Sequence, residues 1–140
     1  MGLFGGLFKK KDELFANSGK LSMEEIEQIQ LSLKDKMDGE VYNSVFNQAC
    51  RLIPQKQYAE AIALFGSIHE NSADAYEKGS CESQIGVCHF FLGDFEKALK
   101  AVEDFLTISN LNETSRKAGE YRKRCYNFAI GYKGKHPGEN

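Results

Sequence analysis

At 140 residues the chain has the length of one domain, and with two prolines and thirteen glycines gathered at its ends and at isolated points it leaves long stretches free to be helical. A formal net charge of -2 and a pI near 5.9 exclude a globally basic surface of the kind that binds nucleic acid. The four cysteines sit inside helical patterns with no secretory leader ahead of them, which points to reduced thiols in the cytoplasm.

The first fifteen residues, Met1-Gly-Leu-Phe-Gly-Gly-Leu-Phe-Lys-Lys-Lys-Asp-Glu-Leu-Phe, form an amphipathic amino-terminal segment within residues 1–20. Wound as a helix, Leu3, Phe4, Leu7, Phe8, Leu14 and Phe15 share an arc of about 140°, while Lys9 and Lys10 lie outside it. A short basic helix with such a face suits the inner surface of a membrane, a surface of the protein itself, or a partner. Gly5 and Gly6 weaken it by about 1 kcal/mol each. No apolar run reaches the roughly 18 to 20 residues that span a bilayer.

Ser22-Met23-Glu24-Glu25 has the form of a capping box and opens a helix over 23–37, with Met23, Ile26, Ile29, Leu33 and Met37 on one seam. Asp38-Gly39 supplies its stop. A second helix over 41–53 carries Val45, Ala49, Leu52 and Ile53 and closes at Pro54. A third, from Tyr58 to about residue 70, is followed by a loop through Asn71-Ser72-Ala73-Asp74. A fourth covers 74–92 and stops at Gly93. The fifth opens at Asp94-Phe95 and buries Phe95, Ala98, Leu99, Val102, Phe105 and Leu106. A sixth, over 113–131, places Ala118, Tyr121, Cys125, Phe128 and Tyr132 on one stripe, and residues 133–140 read as a disordered tail.

Gln57-Tyr58-Ala59-Glu60-Ala61-Ile62-Ala63-Leu64-Phe65 superposes on Asp94-Phe95-Glu96-Lys97-Ala98-Leu99-Lys100-Ala101-Val102 at an offset of 37 residues. The same offset pairs Ala49 with Gly86, Leu52 with His89 and Ile68 with Phe105. Small residues recur where paired helices cross closely, and large ones recur where space must be filled. On Ile85-Gly86, Gly93-Asp94-Phe95 and Ala98 the chain resembles a small two-repeat tetratricopeptide repeat (TPR) protein, over about half its length. The resemblance implies an all-α, right-handed solenoid of helical hairpins with about five to six helices, built on residues 21–132. Its repeats would be 42–75 and 79–112, flanked by capping helices at 23–37 and 113–131. The first repeat departs from the pattern by placing Lys56 where the inter-helix turn usually has glycine.

In that family the leading helix of each pair lines a concave groove. The resemblance therefore implies a partner-binding surface of Asn43, Phe46, Asn47 and Cys50 together with Ser80, Ser83, Gln84, Val87 and Phe91. Phe46 and Phe91 would anchor a peptide or helix, and Asn47 and Gln84 would bond its backbone. Phe46 and Cys50 occupy places where carboxylate-gripping members carry asparagine and lysine, so that version of the groove is excluded. The function implied is a non-catalytic adaptor. A chaperone-like or homo-oligomeric scaffold is the competing reading.

Cys81 and Cys88 share a helix face without the second closely spaced pair a zinc site needs, and His69, His89 and His136 have no evident carboxylate or nucleophile partner in sequence. No phosphate-cradling glycine loop occurs, and no metal, cofactor or catalytic residue is expected. Arg116, Lys117, Arg122, Lys123, Arg124, Lys133 and Lys135 concentrate positive charge late in the chain. This is either a solvated capping face or a dock for an acidic partner or for phospholipid headgroups. Nucleic acid is the weakest candidate, because aromatic platforms are not interleaved with those charges.

Overall fold

The computed structural model describes residues 20–138, and the amphipathic segment around Leu3 to Phe15 lies outside the described residues. All regular structure among them is helical: α1 (Met23–Asp35), α2 (Gly39–Leu52), α3 (Tyr58–Asn71), α4 (Ala75–Phe91), α5 (Phe95–Leu106) and α6 (Glu113–Lys135). The chain divides into two compact units, Met1–Ala73 and Asp74–Asn140, with three of these helices in each.

Short polar side chains set the helix starts. Ser22 and Glu25 form the reciprocal capping box at α1, with bonds of 3.2 and 3.0 Å. Asp74 and Asn112 accept from Glu77 N at 2.9 Å and Ser115 N at 2.8 Å, capping α4 and α6. Asp38 has a role beyond stopping α1. Its Oδ1 accepts from Val41 N at 2.9 Å, so α2 begins two residues earlier than the expected residue 41. The Val41 amide, assisted by the Lys36 ammonium, holds the Asp38 carboxyl below its ordinary value.

In the first unit α1 and α2 both pack on α3, whose Ala61, Leu64, Phe65 and Ile68 are fully buried. Ile26, Ile29 and Leu33 of α1 and Val45, Ala49 and Leu52 of α2 complete the core. Met23, expected on that seam, is 57% exposed. Leu21 is buried in its stead, held by a reciprocal pair in which Gln57 Nε2 donates to Leu21 O at 2.8 Å and Leu21 N donates to Gln57 Oε1 at 3.2 Å. Gln30 of α1 donates to Ser67 Oγ of α3 at 2.9 Å, fixing the two helices in register.

The second unit is built around α5, which packs against α4 and α6 and buries Ala98, Val102 and Phe105. Gly86 permits the α4 to α5 crossing: a Cβ at that position would stand 2.8 Å from Ala101 Cβ and 3.3 Å from Ala98 O. Phe95, Leu99 and Leu106, expected in the buried set, are only half-buried.

The 37-residue echo reaches the backbone of the two helix-to-helix turns. Lys56 N donates to Ile53 O at 2.9 Å and Gln57 N to Leu52 O at 3.0 Å, while Gly93 N donates to Phe90 O at 3.1 Å and Asp94 N to His89 O at 2.8 Å. Both turns are Schellman motifs, and both place a left-handed residue at the same point, Lys56 at φ 62° and Gly93 at φ 88°. The lysine therefore adopts the conformation that glycine holds in the second hairpin.

Two expectations for α6 fail. The helix continues to Lys135, so residues 133–135 belong to it and not to a tail. Of the expected stripe, Ala118, Tyr121, Phe128 and Tyr132 are exposed and do not face the core, and only Cys125, half-buried, packs against it.

Candidate functional site: an aromatic cleft in the second unit

The face that α6 does bury runs through Gly119, Arg122 and Tyr126, spaced i, i+3, i+7. At Gly119 a Cβ would come within 2.7 Å of Leu106 Cδ2, so the missing side chain lets α6 settle onto α5. Arg122 Nη1 donates to the buried Ser83 Oγ of α4 at 3.0 Å, and Tyr126, 4% exposed, lies over Phe90 with ring centroids 5.2 Å apart. Burial pushes the Tyr126 phenol pKa up, an effect the nearby Arg122 guanidinium opposes. Tyr121 and Phe128 each stand two residues beyond a member of this row, about 200° round the helix. Seating Gly119 and Tyr126 therefore turns the aromatic stripe outward.

The outward stripe makes one wall of a cleft of about 850 Å³. Its α6 side is Arg124, Cys125, Phe128, Ala129, Tyr132 and Lys133, and its other side is Phe90, Phe91, Leu92 and Phe95 at the α4–α5 corner. Phe91 is 55% exposed, Leu92 53% and Phe128 75%. Phe90 braces the corner, with centroid separations of 5.7 Å to Phe91 and 5.3 Å to Phe95. Phe128, Tyr132 and His136 continue as a stacked row along α6, at 6.4 and 4.2 Å. Exposed apolar surface of this kind, with a polar rim, is the ordinary mark of a binding site.

The residues expected to line a groove separate by environment. In the first unit Asn43 and Asn47 are exposed and Cys50 is half-buried. Phe46 is half-buried between Tyr42 and Phe65, each at 5.2 Å, and so fills space beside its own core. In the second unit Ser80, Gln84 and Val87 are half-buried, and Phe91 opens into the cleft. Ser83 is a correction: at 4% exposed and bonded to Arg122 it is covered by α6 and offers a partner nothing. The cleft residues Leu92, Phe95, Phe128 and Tyr132 escaped the expected site because helical periodicity assigned Phe95, Phe128 and Tyr132 to the core. No signal in the sequence singled out Gly119, because Gly131 and Gly134 in the same helix meet nothing within 4 Å while Gly119 packs on Leu106.

Three of the α6 cations are engaged by polar groups. Lys117 pairs with Glu113 at 3.2 Å, Lys123 with Glu103 at 3.6 Å, and Arg122 with Ser83. Arg124 and Lys133 differ, since each carries its cation over an aromatic ring, Tyr121 at 5.8 Å and Phe95 at 5.5 Å. A second hollow, of about 380 Å³, lies between α1 and α3 against Glu27, Gln30, Leu31, Lys34, Ser67, Glu70 and Asn71, and its walls mix polar and apolar groups.

Among the described residues no cluster of three or more His, Cys, Asp or Glu side chains could hold a metal ion, none of the four cysteines forms a disulfide, and no helix is long and apolar enough to cross a membrane. Compared with known family models, with curated proteins and with solved structures, the chain matches none.

Proposed function

We propose that the chain is a non-catalytic protein-binding module of tetratricopeptide-like helix pairs, whose second unit receives an apolar segment of a partner protein in the cleft between the α4–α5 corner and α6. The observation that carries this reading is the exposed aromatic stripe of α6, with Phe128 75% open to solvent. Large aromatic residues exposed on a surface are of the type that dominates binding energy in protein interfaces. The tetratricopeptide likeness is supported by the shared Schellman turns at Lys56 and Gly93 and by the equivalent burial of Ala61 and Ala98. This reading moves the docking surface from the leading helices to the cleft, keeping Phe91 as an anchor and giving Phe46 a structural role.

Site-specific photocrosslinking in cells tests it, with the reactive residue introduced in turn at Phe91, Phe128, Asn43 and Asn47. A discrete heteromeric adduct from the two cleft positions, and none from the two asparagines, is the expected pattern. Adducts only from Asn43 and Asn47 would return the site to the first unit, and an adduct of twice the chain's own mass would favour the homo-oligomeric scaffold.

A further inference from the structure

We infer that the occupant of the cleft is an acidic amphipathic helix of a partner protein, its apolar face seated on Phe91 and Phe128 and its carboxylates meeting Arg124 and Lys133. This rests on the proposal that the cleft is a docking site, and it names the chemistry of what docks.

The charge argument is local. Among the described residues, Arg124 and Lys133 are the only ionisable side chains lining the cleft apart from the Cys125 thiol and the Tyr132 phenol; both are cations, and no described carboxylate stands among the lining residues. On α6, Lys117, Lys123 and Arg122 are held by Glu113, Glu103 and Ser83, whereas Arg124 and Lys133 rest over Tyr121 and Phe95. A cation over a ring forms no ion pair there and keeps donors for an incoming carboxylate. The two residues are nine positions apart on α6, which corresponds to a rise of about 13 Å. Nine positions are also about two and a half turns, so the two cations flank the cleft-lining stripe on opposite sides, and a helical ligand meets them with acidic residues on both flanks of its apolar face.

The form of the ligand follows from the backbone. A peptide that binds by strand addition needs a sheet edge, and none exists among the described residues. The last carbonyls of α4 are also occupied, those of Cys88, His89 and Phe90 accepting from Leu92, Asp94 and Gly93. The cleft therefore offers mainly side chains. A helix satisfies its own backbone and presents apolar residues at i, i+4 and i+7.

Two other occupants are disfavoured by the same charges. A second copy docked across a two-fold axis brings Arg124 and Lys133 towards their own counterparts. The chain's own first sixteen residues hold Lys9, Lys10 and Lys11 against only Asp12 and Glu13. Both encounters place like charges together.

The test uses the full chain and three labelled 18-residue helical peptides sharing one Leu/Phe face, their polar faces carrying glutamate, glutamine or lysine, measured by fluorescence anisotropy at low and moderate salt. The glutamate peptide should bind about tenfold more tightly than the glutamine one, a factor that shrinks as salt rises. The double variant R124E/K133E, altered at two exposed positions, should reverse the order in favour of the lysine peptide. If all three bind within about twofold of each other and the variant changes nothing, the acidic assignment is wrong while the docking site stands. If none binds, docking in the cleft itself is wrong. Anionic phospholipid vesicles form a separate arm: binding lost in R124E/K133E, with no peptide bound, would assign the cleft to a lipid surface and overturn the inference.

Discussion

Replacing Phe128 with alanine tests whether α6 is phased as described, because periodicity alone makes this residue core and the structure leaves it 75% exposed. An aromatic side chain buries roughly 200 Å² when fully enclosed, so about a quarter of that, ~50 Å², is at stake here. At about 25 cal/mol per Å² the loss is near 1.2 kcal/mol, and alanine returns about 0.5 kcal/mol through its better helix propensity. Phe128→Ala should therefore cost less than about 1 kcal/mol. Tyr126, two residues earlier and 4% exposed, lies against Phe90 within the core of the second unit. Tyr126→Ala should cost about 3 to 5 kcal/mol, the usual range for truncating an enclosed aromatic residue. Urea denaturation followed by far-ultraviolet circular dichroism measures both, a suitable probe because the chain has no tryptophan. A cost above about 3 kcal/mol at Phe128 together with one below about 1 kcal/mol at Tyr126 would refute the phase of α6, and the cleft with it.

Gly86→Ala should lower stability by about 1 to 2 kcal/mol despite alanine's advantage in a helix, because the new Cβ meets Ala101 Cβ at 2.8 Å and a backbone carbonyl, neither of which can step aside; calorimetric melting checks this. Lys56→Gly should stabilise the first unit by about 0.5 to 1 kcal/mol, since φ 62° is unfavourable for a side chain, and Gly93→Ala should destabilise the second by about 1 kcal/mol or more, both measured in urea. The pH dependence of stability carries the Tyr126 shift. Folding raises the phenol's pKa, so the folded state holds the proton more tightly; this stability is whole below pH ~10 and is lost as pH rises through the folded value. Tyr126→Phe should flatten that alkaline limb in a series of melts, and an unchanged limb would assign it to other groups.

Much of the helical layout was legible because its signals are local. Ser22, Asp74 and Asn112 cap the helices they precede, and Gly93 ends α4 as a positive-φ residue. The 37-residue echo was equally readable and extends to matching turn bonds, with Lys56 taking the conformation of glycine at a modest strain. The face of α6 was not legible, because periodicity ranks a helix's stripes by hydrophobicity and cannot weigh a contact set by a missing side chain. Tyr121, Phe128 and Tyr132 make the more apolar stripe, yet Gly119 against Leu106, Arg122 bonded to Ser83, and Tyr126 over Phe90 fix the opposite one. The candidate site was missed for the same reason: its wall is the stripe that periodicity assigns to the interior. Ser83 failed as a groove residue through the same contact.

Amide chemical-shift mapping on the isotopically labelled full chain, titrated with the glutamate-faced helical peptide, probes the docking surface directly. Changes should concentrate at residues 90–95 and 124–133, the two walls of the cleft. Changes centred on residues 43–50, or none at saturating peptide, would contradict the assignment of the aromatic cleft as the place where a partner binds.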